Sequence, residues 1–154
     1  MTGPERKYVL DTNLFIDGFR DARANEALQQ FHRLFAPFEY LSAVVAHELR
    51  CGARAVSDRH LLEKHVLLPF AKRGRVVTPS PHAWERGGDA LSELARADGA
   101  EPQTVSRAFA YDVLLALSCR EAGMTLVTRN LRDFERIAGV APFRFVGPWP
   151  APVA

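Results

Sequence analysis

The chain has 154 residues, of which 47% are hydrophobic and 25% charged, with a formal net charge of +2. That length carries one domain with a proper core, and that composition excludes a disordered or fibrous chain. The mildly basic balance, with a pI near 8.7, permits a nucleic-acid partner without requiring one.

Tyr8 to Leu10 reads as a short apolar strand, which turns at Asp11-Thr12-Asn13 into a helix over Leu14 to Arg20, with Asn13 as its expected N-cap. Ala22 to Phe35 is a second helix, with Leu28, Phe31, Leu34 and Phe35 on one face. Glu39 to Leu41 is a brief strand, and Ser42 caps a helix from Ala43 to about Val56. Asp58 is expected to cap a further helix through Phe70, punctuated by Pro69, before a strand at Arg75 to Val77. His82 to Ala97 reads as a helix weakened by Gly87-Gly88. A loop over Asp98 to Thr104 precedes the helix Ser106 to Ala122, which stops at Gly123. Met124 to Val127 is a strand, Asn130 to Ala138 a helix, Phe143 to Val146 a last strand, and the tail from Pro148 has no periodicity. Short apolar strands alternating with helices give an α/β fold: a single three-layer α/β/α domain around a mostly parallel sheet.

No segment reaches the roughly 18 apolar residues needed to span a bilayer. The opening Met-Thr-Gly-Pro-Glu-Arg-Lys leads into only a short apolar run, so no signal peptide and a cytoplasmic location are expected. Cys51 and Cys119 lie in two different helices and suggest neither a disulfide framework nor a zinc cluster; both read as small buried hydrophobes. Lys7, Lys64 and Lys72 are the only lysines. The arginine that replaces lysine elsewhere suits phosphate, but a GC-rich genome explains the skew as well.

Four acids stand where an ordinary domain has little reason for charge. Asp11 follows directly on a strand, at the edge where open parallel sheets bind ligands. Glu48 has Val44, Val45, Cys51 and Gly52 as its helical neighbours, and Asp112 has Ala108, Phe109, Leu115 and Ala116. Glutamate and aspartate are rarely buried on such faces without a partner. Asp133 stands three residues after Asn130, a spacing that a capping box explains equally well. Thr128, closing its strand, either holds a ligand or bound water or simply ends the strand. Two carboxylates about 4 Å apart repel by about 4 kcal/mol at an effective dielectric of about 20. A divalent cation reverses that sign, and oxygen-only ligands select Mg²⁺ or Mn²⁺. A metal so held activates water and neutralises a phosphate. There is no glycine-rich phosphate loop, which argues against a nucleotide triphosphatase.

Other signals carry less. His47-Glu48-Leu49-Arg50-Cys51 lacks the second histidine of the zinc-protease HExxH helix. His32, His60, His65 and His82 fall on polar or surface positions, and Asp17 with Asp21 reads as a solvated face.

With these residues in view, the chain resembles the PIN-domain ribonucleases, and among them the VapC-type toxins of bacterial toxin–antitoxin pairs. The resemblance runs from about Tyr8 to Trp149 and rests on four motifs in order. They are VLDTN (Val9 to Asn13), LSAVVAHELRCG (Leu41 to Gly52), YDVLLALSC (Tyr111 to Cys119) and LVTRNLRDF (Leu126 to Phe134), with a terminal GPW from Gly147 to Trp149. It implies Asp11, Glu48, Asp112 and Asp133 as catalytic metal ligands for Mg²⁺ or Mn²⁺, with Asn13, Thr128 and Asn130 in support. Asn130 stands where some relatives carry an acid, so Asp133 is the least certain of the four. The resemblance further implies strand order 3-2-1-4-5, a homodimer, a cognate antitoxin protein that buries the site, and an RNA substrate, tRNA or mRNA, cut to leave 5′-phosphate and 3′-hydroxyl ends. Arg129 and Arg132 beside the fourth motif are candidate phosphate contacts, or solvated helix-terminal charges. Leu14, Phe15, Phe19, Phe31 and Phe35 offer more aromatic surface than a small core needs, and part of it is expected to form the antitoxin groove.

Two rivals remain. A PIN-like module that grips RNA or protein without cutting is the alternative function, and the intact acids argue against it. A haloacid-dehalogenase-like phosphatase would want a second aspartate where Asn13 stands.

Overall fold

The computed structural model describes residues 6–101 and 104–152. Five short parallel strands form one sheet in the order β3-β2-β1-β4-β5: β1 Tyr8–Leu10, β2 Glu39–Ser42, β3 Val76–Val77, β4 Thr125–Val127 and β5 Phe145–Val146. Parallel strands need crossover connections, and helices supply them. They are α1 Thr12–Arg20, α2 Ala22–Phe35, α3 Ala43–Gly52, α4 Val56–Leu62, α5 Leu68–Lys72, α6 Pro81–Ala97, α7 Arg107–Ala122 and α8 Leu131–Val140. The mostly parallel α/β/α fold and the strand order match the sequence expectation. Among the described residues no helix is long and apolar enough to cross a membrane.

β1 is central and wholly buried, as is β4 beside it. Their register pairs Tyr8 with Thr125 and Leu10 with Val127. The next residues, Asp11 and Thr128, therefore emerge side by side from the carboxyl end of the sheet. Asp11 N–H donates to Val127 O at 2.9 Å, and Thr128 N–H to Val146 O at 3.0 Å. From β1 the sheet grows one way to β2 and β3 and the other way to β4 and β5, so this point is the topological switch where α/β sheets bind ligands.

One contiguous core surrounds these strands. Val9, Val45, Leu115, Leu126, Phe134 and Ile137 are all at the fully buried end of the range. α7 is buried from Val113 through Cys119, as its nearly all-round apolar pattern demands. Gly87 and Gly88 do not break α6; Gly87 faces Leu117 of α7, where a Cβ would stand 3.7 Å from Leu117 Cδ1.

Several boundaries differ from expectation for local reasons. Asp11, not Asn13, caps α1, because its carboxylate reaches the Thr12 N–H at 2.8 Å. α3 ends at Gly52, where Ala53 leaves helical geometry, so the helix does not extend to Val56. Ala55 takes the cap position of α4, leaving Asp58 in the first turn, where its charge complements the helix dipole. A widened π turn over Glu63–Leu67 joins α4 to α5. Pro69 lies just beyond it; a proline offers no N–H and crowds the carbonyl four residues earlier, and the wider turn accommodates both.

The aromatic set on α1 and α2 is mostly core. Leu14, Phe15, Phe31 and Phe35 are buried, and among them only Phe19, at 56% exposure, is free. Phe31 stacks on Phe35 with centroids 4.6 Å apart, meets Tyr8 of β1 edge-on, and receives Trp149 of the tail at 5.2 Å. The surplus of aromatics thus ties the chain's last described segment to its first helices. Phe31→Ala is expected to cost about 3–5 kcal/mol in urea unfolding, whereas Phe19→Ala should stay within about 0.5 kcal/mol of the parent.

Candidate active site at the carboxyl edge of the sheet

Asp11 is 5% exposed and fully engaged. Its Oδ1 accepts from Thr12 N–H, its Oδ2 accepts from Thr128 Oγ1 at 2.7 Å, and Asn13 Nδ2 approaches the same Oδ2 at 3.4 Å. Thr128 is itself fixed, since its hydroxyl oxygen accepts from Asn130 N–H at 3.0 Å. Thr128 therefore orients an acid rather than merely ending its strand.

α3 brings in Glu48, half-buried, whose Oε1 accepts from Thr12 Oγ1 at 3.0 Å. Thr12 thus touches both acids, giving its N–H to one and its hydroxyl to the other. Sequence spacing gives no sign of this, because the second contact spans 36 positions. Arg50, the nearest candidate for a structural ion pair with Glu48, is bound instead to Glu63 at 2.6 Å.

Asp112 lies half-buried on the first half of α7. Burial pushes its carboxyl up to about 8, reinforced by the charges of Asp11, Glu48 and Asp133 in that order. Burial also raises Asp11, against the lowering hydrogen bond from Thr128, the Thr12 N–H and the Arg129 charge. Glu48 is raised by burial and by Asp11, with the Thr12 hydroxyl and His47 opposing. Asp11 from the end of β1, Glu48 from α3 and Asp133 from α8 thus all act on Asp112 of α7. Asp133 is held by Asn130, whose Nδ2 donates to Asp133 Oδ2 at 3.0 Å. The N-cap and N3 spacing does produce a contact, between the two side chains, while Asn130 makes no side-chain cap to its helix.

An all-oxygen donor set suits a hard divalent cation. Beside Asp11, Asn13 Oδ1 is buried without a hydrogen-bond partner. Among the described residues no three Asp, Glu, His or Cys side chains are grouped so as to hold one ion.

Around this centre the remaining candidates divide. Arg129 lies 3.1 Å from Asp17, so neither is a free surface charge. Arg132 is exposed on the first turn of α8. Cys119 is fully buried on α7, where burial and the nearby Asp11 push its thiol up to about 12, an inert group. Cys51, contrary to expectation, is exposed and stands 3.8 Å from His47 Nε2. His32 is not a plain surface histidine either: its Nδ1 meets the buried Glu39 Oε2 at 2.7 Å.

Residues 8–140 match the PIN domain family. The chain belongs to it. The curated relatives include the tRNA(fMet)-specific endonuclease VapC of Salmonella typhimurium and that of Shigella flexneri. Each is 29% identical over 136 residues, covering 87% of this chain and 94% of the relative. Among solved structures, the DNA-bound VapBC complex from Salmonella typhimurium superposes with a TM-score of 0.68 at 28% identity, covering 93% of this chain and 98% of that one. FitAB bound to a DNA fragment has the same fold, with a TM-score of 0.67 at 22% identity, covering 95% and 98% of the two chains. The curated relatives are thus named endonucleases, and the solved relative from Salmonella typhimurium is a VapBC complex bound to DNA.

The raised carboxyl of Asp112 has a signed consequence. Its neutral form is favoured by folding, so the stability it contributes is present below the ordinary aspartate range and is lost as pH rises toward about 8. Metal-free protein should therefore melt lower as pH is raised from about 5 to about 8, each kcal/mol lost appearing as roughly 3 °C at this size. Differential scanning calorimetry of Asp112→Asn should show a flatter profile, and a slope unchanged by the substitution would contradict the assignment.

Proposed function

We propose that this PIN domain is a divalent-metal-dependent endoribonuclease that hydrolyses RNA phosphodiester bonds and acts as the toxin of a toxin–antitoxin pair. The observation that supports this reading is that Asp11, Glu48 and Asp133, from three different parts of the chain, all raise the carboxyl of Asp112 beside the sheet's switch point, with two threonine hydroxyls fixing Asp11 and Glu48. Such repulsion costs a fold stability unless a cation uses it. The relatives named tRNA(fMet)-specific endonucleases supply the substrate class, so tRNA is the first RNA to try.

In this reading Asp11, Glu48, Asp112 and Asp133 hold Mg²⁺ or Mn²⁺, with Asp133 reaching the ion directly or through water. The cation supplies Lewis acidity to the scissile phosphate and neutralises its charge. Thr128 and the Thr12 N–H fix the direction of Asp11 and partly offset the effect of its burial, and the Thr12 hydroxyl does the same for Glu48. Asn13 and Asn130 brace Asp11 and Asp133. One of the carboxylates orients the attacking water, and the break leaves 5′-phosphate and 3′-hydroxyl ends. Arg132 is free to meet a substrate phosphate, whereas Arg129 would first have to leave Asp17.

The partner is a cognate antitoxin, and its docking surface is the groove between α1, α2 and α5. A cavity of about 360 Å³ opens there, lined by Phe15, Phe19, Leu28 and Phe70 above the His32–Glu39 pair. The toxin works as a cytoplasmic homodimer.

Purified protein, Asp11→Asn and Asp112→Asn should be compared on total tRNA with Mg²⁺, Mn²⁺ or EDTA. Discrete fragments from the wild type that disappear in either variant and in chelator are expected, with a loss of at least about 10²-fold. Folded, antitoxin-free wild type that cuts nothing under any metal would leave a silent RNA- or protein-binding module as the better reading. Separately, Phe19→Glu should weaken antitoxin capture by about tenfold or more while leaving cleavage intact; equal capture in a pull-down titration would remove the groove from the interface.

A further inference from the structure

The half of α7 that carries Asp112 also carries two half-buried aromatic rings, Phe109 and Tyr111, and each is paired across to a different helix. Tyr111 OH and His47 Nε2 lie 3.1 Å apart, with the rings edge-on and centroids 5.3 Å apart. His47 is exposed and directly precedes Glu48 on α3. On the other flank, the Arg136 guanidinium of α8 lies over the Phe109 ring, 5.0 Å from its centroid. The same arginine stands 3.9 Å from Asp133 and also binds Asp98. A cavity of about 330 Å³ opens beside Phe109, Ser106, Asp133 and Arg136. One ring pair thus adjoins Glu48 in the chain, the other contacts Asp133 through Arg136, and Asp112 shares α7 with both rings.

We propose that the His47–Tyr111 and Arg136–Phe109 pairs are nucleotide subsites that hold unpaired RNA astride the carboxylates. The inference rests on the endoribonuclease reading and names the positioning residues of that reaction.

The argument is one of affinity. A row of carboxylates repels a phosphate backbone, and the arginines closest to it are already engaged, Arg129 with Asp17 and Arg136 with Asp98 and Asp133. Of the arginines beside the acids only exposed Arg132 is left for a phosphate, so charge alone gives limited grip here. Stacking supplies binding that does not depend on charge, since every base has a π face and both aromatic rings and guanidinium planes receive it. An aromatic strut between helices would serve as well buried, yet His47 is exposed and both α7 rings reach the surface. A base inside a duplex has no face to offer, so these subsites select single-stranded or looped RNA.

The test uses a fluorescent single-stranded oligoribonucleotide of about ten residues, a length within the reach of such grooves, and a duplex of the same sequence. Both are titrated against Glu48→Gln protein in Mg²⁺. Adding Tyr111→Ala or Phe109→Ala should weaken single-strand binding by about 5- to 100-fold each, and Tyr111→Phe should recover most of the loss. In the cutting-competent chain the same changes should raise KM more than they lower kcat and should move the cut positions. Exposed His47→Ala and Arg136→Gln guard against misfolding of the ring variants and should weaken binding in the same direction. Folded variants that bind as tightly as the parent, or a parent that binds duplex as well as single strand, would overturn the subsites. Single-strand binding that depends on the rings in a wild-type chain that cuts nothing would instead sink the nuclease reading and leave the subsites standing.

Discussion

Everything at the functional edge of this fold hangs on one hydrogen bond, from Thr128 Oγ1 to Asp11 Oδ2. It exists because β1 and β4 are parallel neighbours in a register that ends them together, so the first residue beyond each strand faces the other. Asp11 serves two masters at that point. One oxygen starts α1 by capping the Thr12 N–H, and the other is held by Thr128. Fixing Thr12 in turn aims its hydroxyl at Glu48 on α3. A short chain of contacts thus links the sheet, the first helix and the third, and sets where two of the acids point.

The same arrangement opposes the stability of the fold. Desolvated carboxylates in mutual range disfavour their charged forms, and Asp112, with no side-chain hydrogen bond among the described residues to offset its burial, is pushed up to about 8. A domain selected only for stability would replace such a group with an apolar one, as the rest of α7 has been filled. An acid on an otherwise greasy helix is what the proposed metal-binding role would require.

Much of this was legible in the chain, and the reasons are local. Strand, helix and acid positions follow from apolar runs and from charges set against them, and four acids in that pattern are visible without coordinates. Assignments failed where two neighbouring side chains could serve the same local purpose. Asp11 and Asn13 can each cap a helix, and only the long-range grip of Thr128 keeps Asp11 in place to do it. Partnerships across distant segments were invisible for a simpler reason. His47 with Tyr111, Arg129 with Asp17, and Trp149 on Phe31 join residues that no periodicity relates. Which of the aromatics on α1 and α2 are core cannot be told from spacing, because Phe31 and Phe35 are buried by Tyr8 of β1 and Phe31 also by Trp149 of the tail.

The two outer strands, β3 and β5, are only two residues long. A sheet edge is a template for adding foreign strands, and its reach is set by the number of unpaired backbone groups it displays. Here that number is minimal on both sides, while the long, well-ordered strands of a sheet this size are absent altogether. Self-association by edge pairing is thereby disfavoured, and the binding surfaces proposed above, the groove beside Phe19 and the acid-bearing edge, are made of side chains rather than of open backbone. Edges this short give strand-by-strand addition little backbone to build on.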